Sequence, residues 1–152
     1  MHDLLVFLHL AGVIVWVGGM FFAHVCLRPV AAAQLPPPQR LPLLAGVLAR
    51  FFVAVTVAIA AILASGLALM LIPGFARAPL HWHLMMALGL VMAAIFALIA
   101  GHFFPRLRRG VAAADWPAAG AAMNRIRQLV AFNLLLGALT IAVATLGAGL
   151  AG

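Results

Sequence analysis

Charge is what this chain has least of. Only 7% of its 152 residues are Asp, Glu, Lys or Arg, against about 25% in a soluble globular domain. Acid is scarcest: Asp3 and Asp115 are the two carboxylates, and neither lies within a long apolar run. This argues against a carboxylate proton relay, and with no lysine a Schiff-base lysine is excluded. The single cysteine, Cys26, excludes an internal disulfide. Its setting, "FAHVC", is a poor lipid-attachment box, and a small apolar residue in lipid is the simpler role.

What the chain has instead is apolar length. Hydrophobic residues make up 68% of it, and its mean hydropathy is +1.26. Four runs, near Leu4–Cys26, Phe51–Ile72, Leu84–His102 and Leu129–Leu150, each approach the roughly 20 residues that cross a bilayer as a helix. No length remains for a soluble domain. The expected fold is an all-α integral membrane protein, an antiparallel four-helix transmembrane bundle forming one domain over 1–152. The first run lacks a basic leader and exceeds a signal-peptide core in length, so it reads as a retained helix.

All nine cations are arginines, giving a formal net charge of +7. They sit at the ends of the apolar runs and form no single patch, which argues against nucleic acid as a partner. Arg28, Arg40 and Arg50 surround the first connection, and Arg106, Arg108, Arg109, Arg125 and Arg127 the third. The second connection has only Arg77. The positive-inside rule then puts connections one and three in the cytoplasm and both termini outside.

The connections carry their own signals. "AAAQLPPPQRLP" cannot be helical throughout, and the "LPLLAGVLAR" overlapping its end either lies along the interface or extends helix two. Helix two should stop at Pro73-Gly74. Helix three should run from about Leu80 to near Pro105, and the third connection should be long and partly helical. Asp115 is a candidate N-cap before Trp116-Pro117. Small residues mark where helices meet: Asn133, Gly137, Thr140, Ala144 and Gly147 share one face, as do Ala54, Ala58, Ala61, Ser65 and Ala68. No internal repeat suggests an inverted-repeat transporter.

Ionisable groups inside a membrane are costly and usually face a partner in the bundle interior, so the histidines are informative. On helix one, His9, Val13, Trp16, Met20 and His24 fall at four- and three-residue steps and form one stripe. Its two imidazoles lie roughly 22 Å apart along the axis, one near each surface. Gly12 and Gly19 leave a strip beside the stripe. That strip suits a flat ligand, and equally suits a neighbouring helix with the histidines bonded locally.

Helix three runs parallel to helix one and brings His81 and His83 level with His9, and His102 level with His24. Neutral imidazoles from two helices are the usual axial ligands of a b-type haem. His9 with His81 or His83 forms an outer candidate pair, and His24 with His102 an inner one. One haem is easier to place than two, since His83 and His102 are roughly 28 Å apart. Arg50, Arg125 or Arg127 lies where propionates of an inner haem would reach. A rival reading uses the same end: "HWHLMM" gathers His81, His83, Met85 and Met86, with Met20 and Met92 deeper. Imidazole with thioether suits Cu(I).

The pattern "LH(x6)WVGGMFFAHVCLRP" resembles the first helix of the copper-resistance protein D (CopD) family of inner-membrane proteins. "PLHWHLMMALGLVMAAIF", "RLRRGVAAADWPAAGAAMNRIRQLV" and "NLLLGALTIAVA" extend the likeness along the chain. A more distant similarity is to the four-helix, haem-b-binding protoporphyrinogen oxidase of the HemJ type, whose His–Trp spacing matches His9 and Trp16. His83 stands where that group has a lysine. The resemblance implies a bacterial inner-membrane protein linked to haem or copper, its termini then periplasmic, with His9 and then His81 carried over as haem ligands. The leading expectation is a small b-type cytochrome passing electrons between a membrane carrier such as quinone and another acceptor. The alternative is a CopD-type copper module with a periplasmic partner; porphyrinogen oxidation is a third. Self-association is compatible with all three.

Overall fold

The computed structural model describes residues 1–150, with side chains through Gly147; the last two residues of the expected domain lie outside that range. Four helices make up almost all of it: α1 (His2–Gln34), α2 (Pro37–Leu71), α3 (Leu80–Ala112) and α4 (Trp116–Leu150). All four are long and apolar enough to cross a membrane. Their outward faces carry Val53, Val57, Leu135 and Leu146, each about two-thirds exposed. Such a surface is stable against lipid and not against water. The expected all-α four-helix architecture is therefore the one observed.

The helices are longer than the spans read from hydropathy, and the excess lies at the arginine-rich end. Pro36 and Leu35 are the only non-helical residues between α1 and α2. Prolines open α2 without cost because the first helical turn needs no N–H donors. Likewise α3 does not stop near Pro105 but continues to Ala112, so the expected long third connection shrinks to 113–115. Burial is the reason. Leu41, Ala45, Leu107, Ala119 and Ala122 on these extensions join Leu48, Phe52, Ile99 and Ile126 in one core. Phe52 meets Phe96 and Phe104 edge-on within it, at 5.4 and 5.0 Å.

The α3–α4 turn follows from hydrogen-bond accounting. Asp115 N–H donates to Gly110 C=O and Ala114 N–H to Val111 C=O, a Schellman ending. Asp115 Oδ1 then accepts from Ala118 N–H at 3.0 Å, capping α4 as expected. Three segments, Ile14–Gly18, Phe22–Leu27 and Ile99–Phe103, take wide π-helical turns. Pro29 and Pro105 follow the second and third. Each ring would crowd the carbonyl four residues earlier, at Val25 and Gly101, and the wider turn makes room.

Helix pairing rests on small residues. A Cβ on Gly12 would lie 2.6 Å from Ile62 and 3.0 Å from the Ala58 carbonyl, and one on Gly19 would strike Phe51. Thus α1 and α2 touch almost backbone to side chain. A Cβ on Gly110 would come within 2.8 Å of Ala119 N, closing α3 on α4. Gly137 of α4 seats both Val17 of α1 and Met92 of α3. The expected small face of α4 points inward, with Asn133 and Gly137 buried. On α2, Ala58 and Ser65 are buried while Ala54 is exposed.

Candidate functional site

The α1 stripe is the inward face of that helix. Trp16 and Met20 are 4% and 3% exposed, and His9 and His24 at its ends are partly covered. Near the end of the bundle that holds His9, the imidazole is fixed by α2. Its Nδ1 lies 3.1 Å from Ile62 C=O and 3.1 Å from Ser65 Oγ. Both are acceptors here, because the Ser65 hydroxyl donates to Ala61 C=O at 2.6 Å. Nδ1 therefore carries the proton, and Nε2 keeps its lone pair. Backbone carbonyls hold metal-binding imidazoles in the same way.

Gly66 completes that corner. A Cβ there would lie 3.1 Å from His9 Cε1, 3.4 Å from Nδ1 and 3.9 Å from the Met86 methyl. The His9 imidazole of α1 and the Met86 methyl group of α3 thus both border the gap that Gly66 leaves in α2. Deeper, Trp16, Met20 and Met92 share a buried cluster with Val55 and Ala58. Asn133 Nδ2 donates to Met92 C=O at 3.3 Å, and Thr140 Oγ1 is 3.9 Å from Met92 Sδ. Asn133 is 1% exposed, and its Oδ1 has no partner. In lipid an unpaired carbonyl of this kind is expensive.

The remaining histidines face other neighbours. His81 packs its Cβ and ring on Gly147 of α4. His83 Nδ1 is 3.3 Å from Pro79 C=O, and its ring stands edge-on to Phe75 at 5.0 Å. His24 lines a small cavity with Arg28, Leu44 and Arg127. His102 is exposed and stands perpendicular to Phe103. Met85 is partly covered. Among the described residues, no three His, Cys, Asp or Glu side chains form a metal-binding group.

These placements bear directly on the haem pairs. His9 turns to α2 and His81 to α4, while His24 and His102 also have separate neighbours. The strip beside Gly12 and Gly19, which suits either a flat ligand or a helix, is filled by Ile62, Ala58 and Phe51 of α2. Cys26 is a free, exposed thiol. Arg125 lies at the far end, in a cleft with Arg106 and Arg109. Sequence reasoning missed the pairing of Ser65 with His9, having counted Ser65 only among small packing residues. A hydroxyl amid alanines at helical spacing was the available signal.

The family model for copper resistance protein D (CopD) matches residues 45–146. No curated protein and no solved structure matches the chain. The matched stretch runs from within α2, through α3, to near the end of α4, and leaves out α1 with His9. Four apolar helices and this match together make the chain a multi-pass inner-membrane protein that belongs to the CopD copper-resistance family.

Proposed function

We propose that the protein binds Cu(I) as cargo at its His9 end and passes it inward along the α1 stripe. The observation that carries this reading is the His9 imidazole, held through Nδ1 by Ile62 C=O and Ser65 Oγ so that Nε2 is left free, with the Met86 methyl group bordering the same gap at Gly66. Imidazole and thioether are soft enough to prefer Cu(I) over harder ions. Met20 and Met92 lie next along the path, in the cluster that contains Trp16. The Thr140 hydroxyl and the unpaired Asn133 Oδ1 add polar character to an otherwise apolar centre. His24 continues the stripe at the arginine end. His81, His83 and Met85 stand near the entrance, where they would collect the ion. Arginine distribution directs that entrance outward, so a periplasmic copper-binding protein is the donor this direction requires.

The test is Cu(I) titration of the detergent-purified protein against a chromophoric chelator, under reducing conditions. Wild type is expected to take up copper, with affinity lowered in Met86→Leu and lost from this site in His9→Ala. X-ray absorption should show both nitrogen and sulfur around the metal. Equal Cu(I) affinity in wild type, Met86→Leu and His9→Ala would end this reading. So would a purified protein carrying a sharp reduced haem band that disappears in His9→Ala.

A further inference from the structure

At the opposite end of the molecule from His9, the last turns of α3 and the first turns of α4 enclose an open cleft of about 680 Å³. Arg106, Arg109 and Arg125 line it, against the single carboxylate of Asp115. That carboxylate already accepts the α4 capping bond from Ala118 N–H. Arg109 Nε donates to Pro105 C=O at 3.4 Å, which leaves its two terminal nitrogens uncommitted. Three guanidiniums thus surround a space with too little acid to balance them.

The apolar rim says what kind of anion fits. Phe103 forms part of the cleft wall. Phe132, seven residues on from Arg125 and so on the same face of α4, is half exposed. A ligand whose phosphate sits among the arginines can therefore lay hydrocarbon down the adjacent helix face. We infer that this cleft is a binding site for the phosphate headgroup of an anionic membrane phospholipid. Guanidinium forks match phosphate oxygens in pairs, and basic pockets between transmembrane helices hold such headgroups. The inference is independent of copper binding.

Native mass spectrometry of the whole protein, released from mild detergent, tests it. Wild type should retain phosphatidylglycerol added at equal concentration with phosphatidylcholine. The triple variant R106Q/R109Q/R125Q should bind it roughly a hundredfold more weakly, while R28Q/R40Q keeps it. Should the triple variant fail to fold, R125Q alone serves, since Arg125 is exposed; a roughly fivefold loss is expected. Retention of both lipids alike, or unchanged retention in R125Q and the triple variant, would overturn the proposal. Thermal stabilisation by inorganic phosphate equal to that by phosphatidylglycerol would also overturn it, by making the cleft a free-anion site.

Discussion

The two ends of this bundle are built from the same four helices and are opposite in kind. At the arginine end the helices run past the apolar spans and close on a core in which Leu107 and Ala119 are fully buried. Eight of the nine arginines are there. At the other end, buried side chains thin out to a few, among them Ser65 and Met70, and the notable groups are imidazoles, thioethers and one serine hydroxyl. The difference separates the packed core from the end where copper binding is proposed. Extensions beyond the bilayer can use the hydrophobic effect, which lipid does not supply between spans. With the fold secured there, the His9 end can leave a lone pair unused.

That division can be broken experimentally. Leu107→Ala is expected to give the largest effect, a loss of about 2–5 kcal/mol read as a lower unfolding midpoint in detergent. Cu(I) affinity should be unchanged in the folded fraction; a matching drop in affinity would show that the ends are one cooperative unit. His9→Ala should do the reverse, with Cu(I) affinity falling more than about a hundredfold because a ligand is lost outright, beyond what supporting residues cost. Its unfolding midpoint should stay near wild type. Ser65→Ala sharpens the comparison further. It removes one of two acceptors for His9 Nδ1–H and leaves Ile62 C=O, so about a tenfold loss is expected, the low end for a group that orients a ligand.

Much of this arrangement was legible in the sequence, and the exceptions have physical causes. Hydropathy located four spans, and the His9–Trp16–Met20 stripe was recognisable because a 3.6-residue period needs no tertiary information. Asp115 announced itself as a cap by its position before Trp116-Pro117. The helical extensions showed only in part: lengthening helix two was one of two options and the third connection was expected to be partly helical. Pro37, Pro38 and Pro105 read as breakers, although prolines near a helix start or after a wide turn are tolerated. The directions of His9 and His81 did not show. Which way a lone imidazole turns depends on Gly66 and Gly147, residues 57 and 66 positions away, and no local pattern connects them. The role of Gly12 and Gly19 was undecided for the same reason: a bare strip looks alike whether a ligand or Ile62 and Phe51 will fill it.

The smallest effect concerns the α3–α4 turn. Ala114 has φ of 52°, the left-handed position of the Schellman ending that glycine normally takes. An L side chain there costs about 1–2 kcal/mol, while glycine adds roughly 0.5–1 kcal/mol of backbone entropy to the unfolded chain. Ala114→Gly should therefore raise the stability by about 0.5–1 kcal/mol, measured as a small upward shift in the unfolding midpoint. Because the turn sits in the arginine end, Cu(I) affinity should not move. A fall in the midpoint would mean that the Ala114 methyl group supplies packing that outweighs its backbone strain. The hairpin would then depend on side-chain contact at its tip as well as on the Gly110–Ala119 approach behind it.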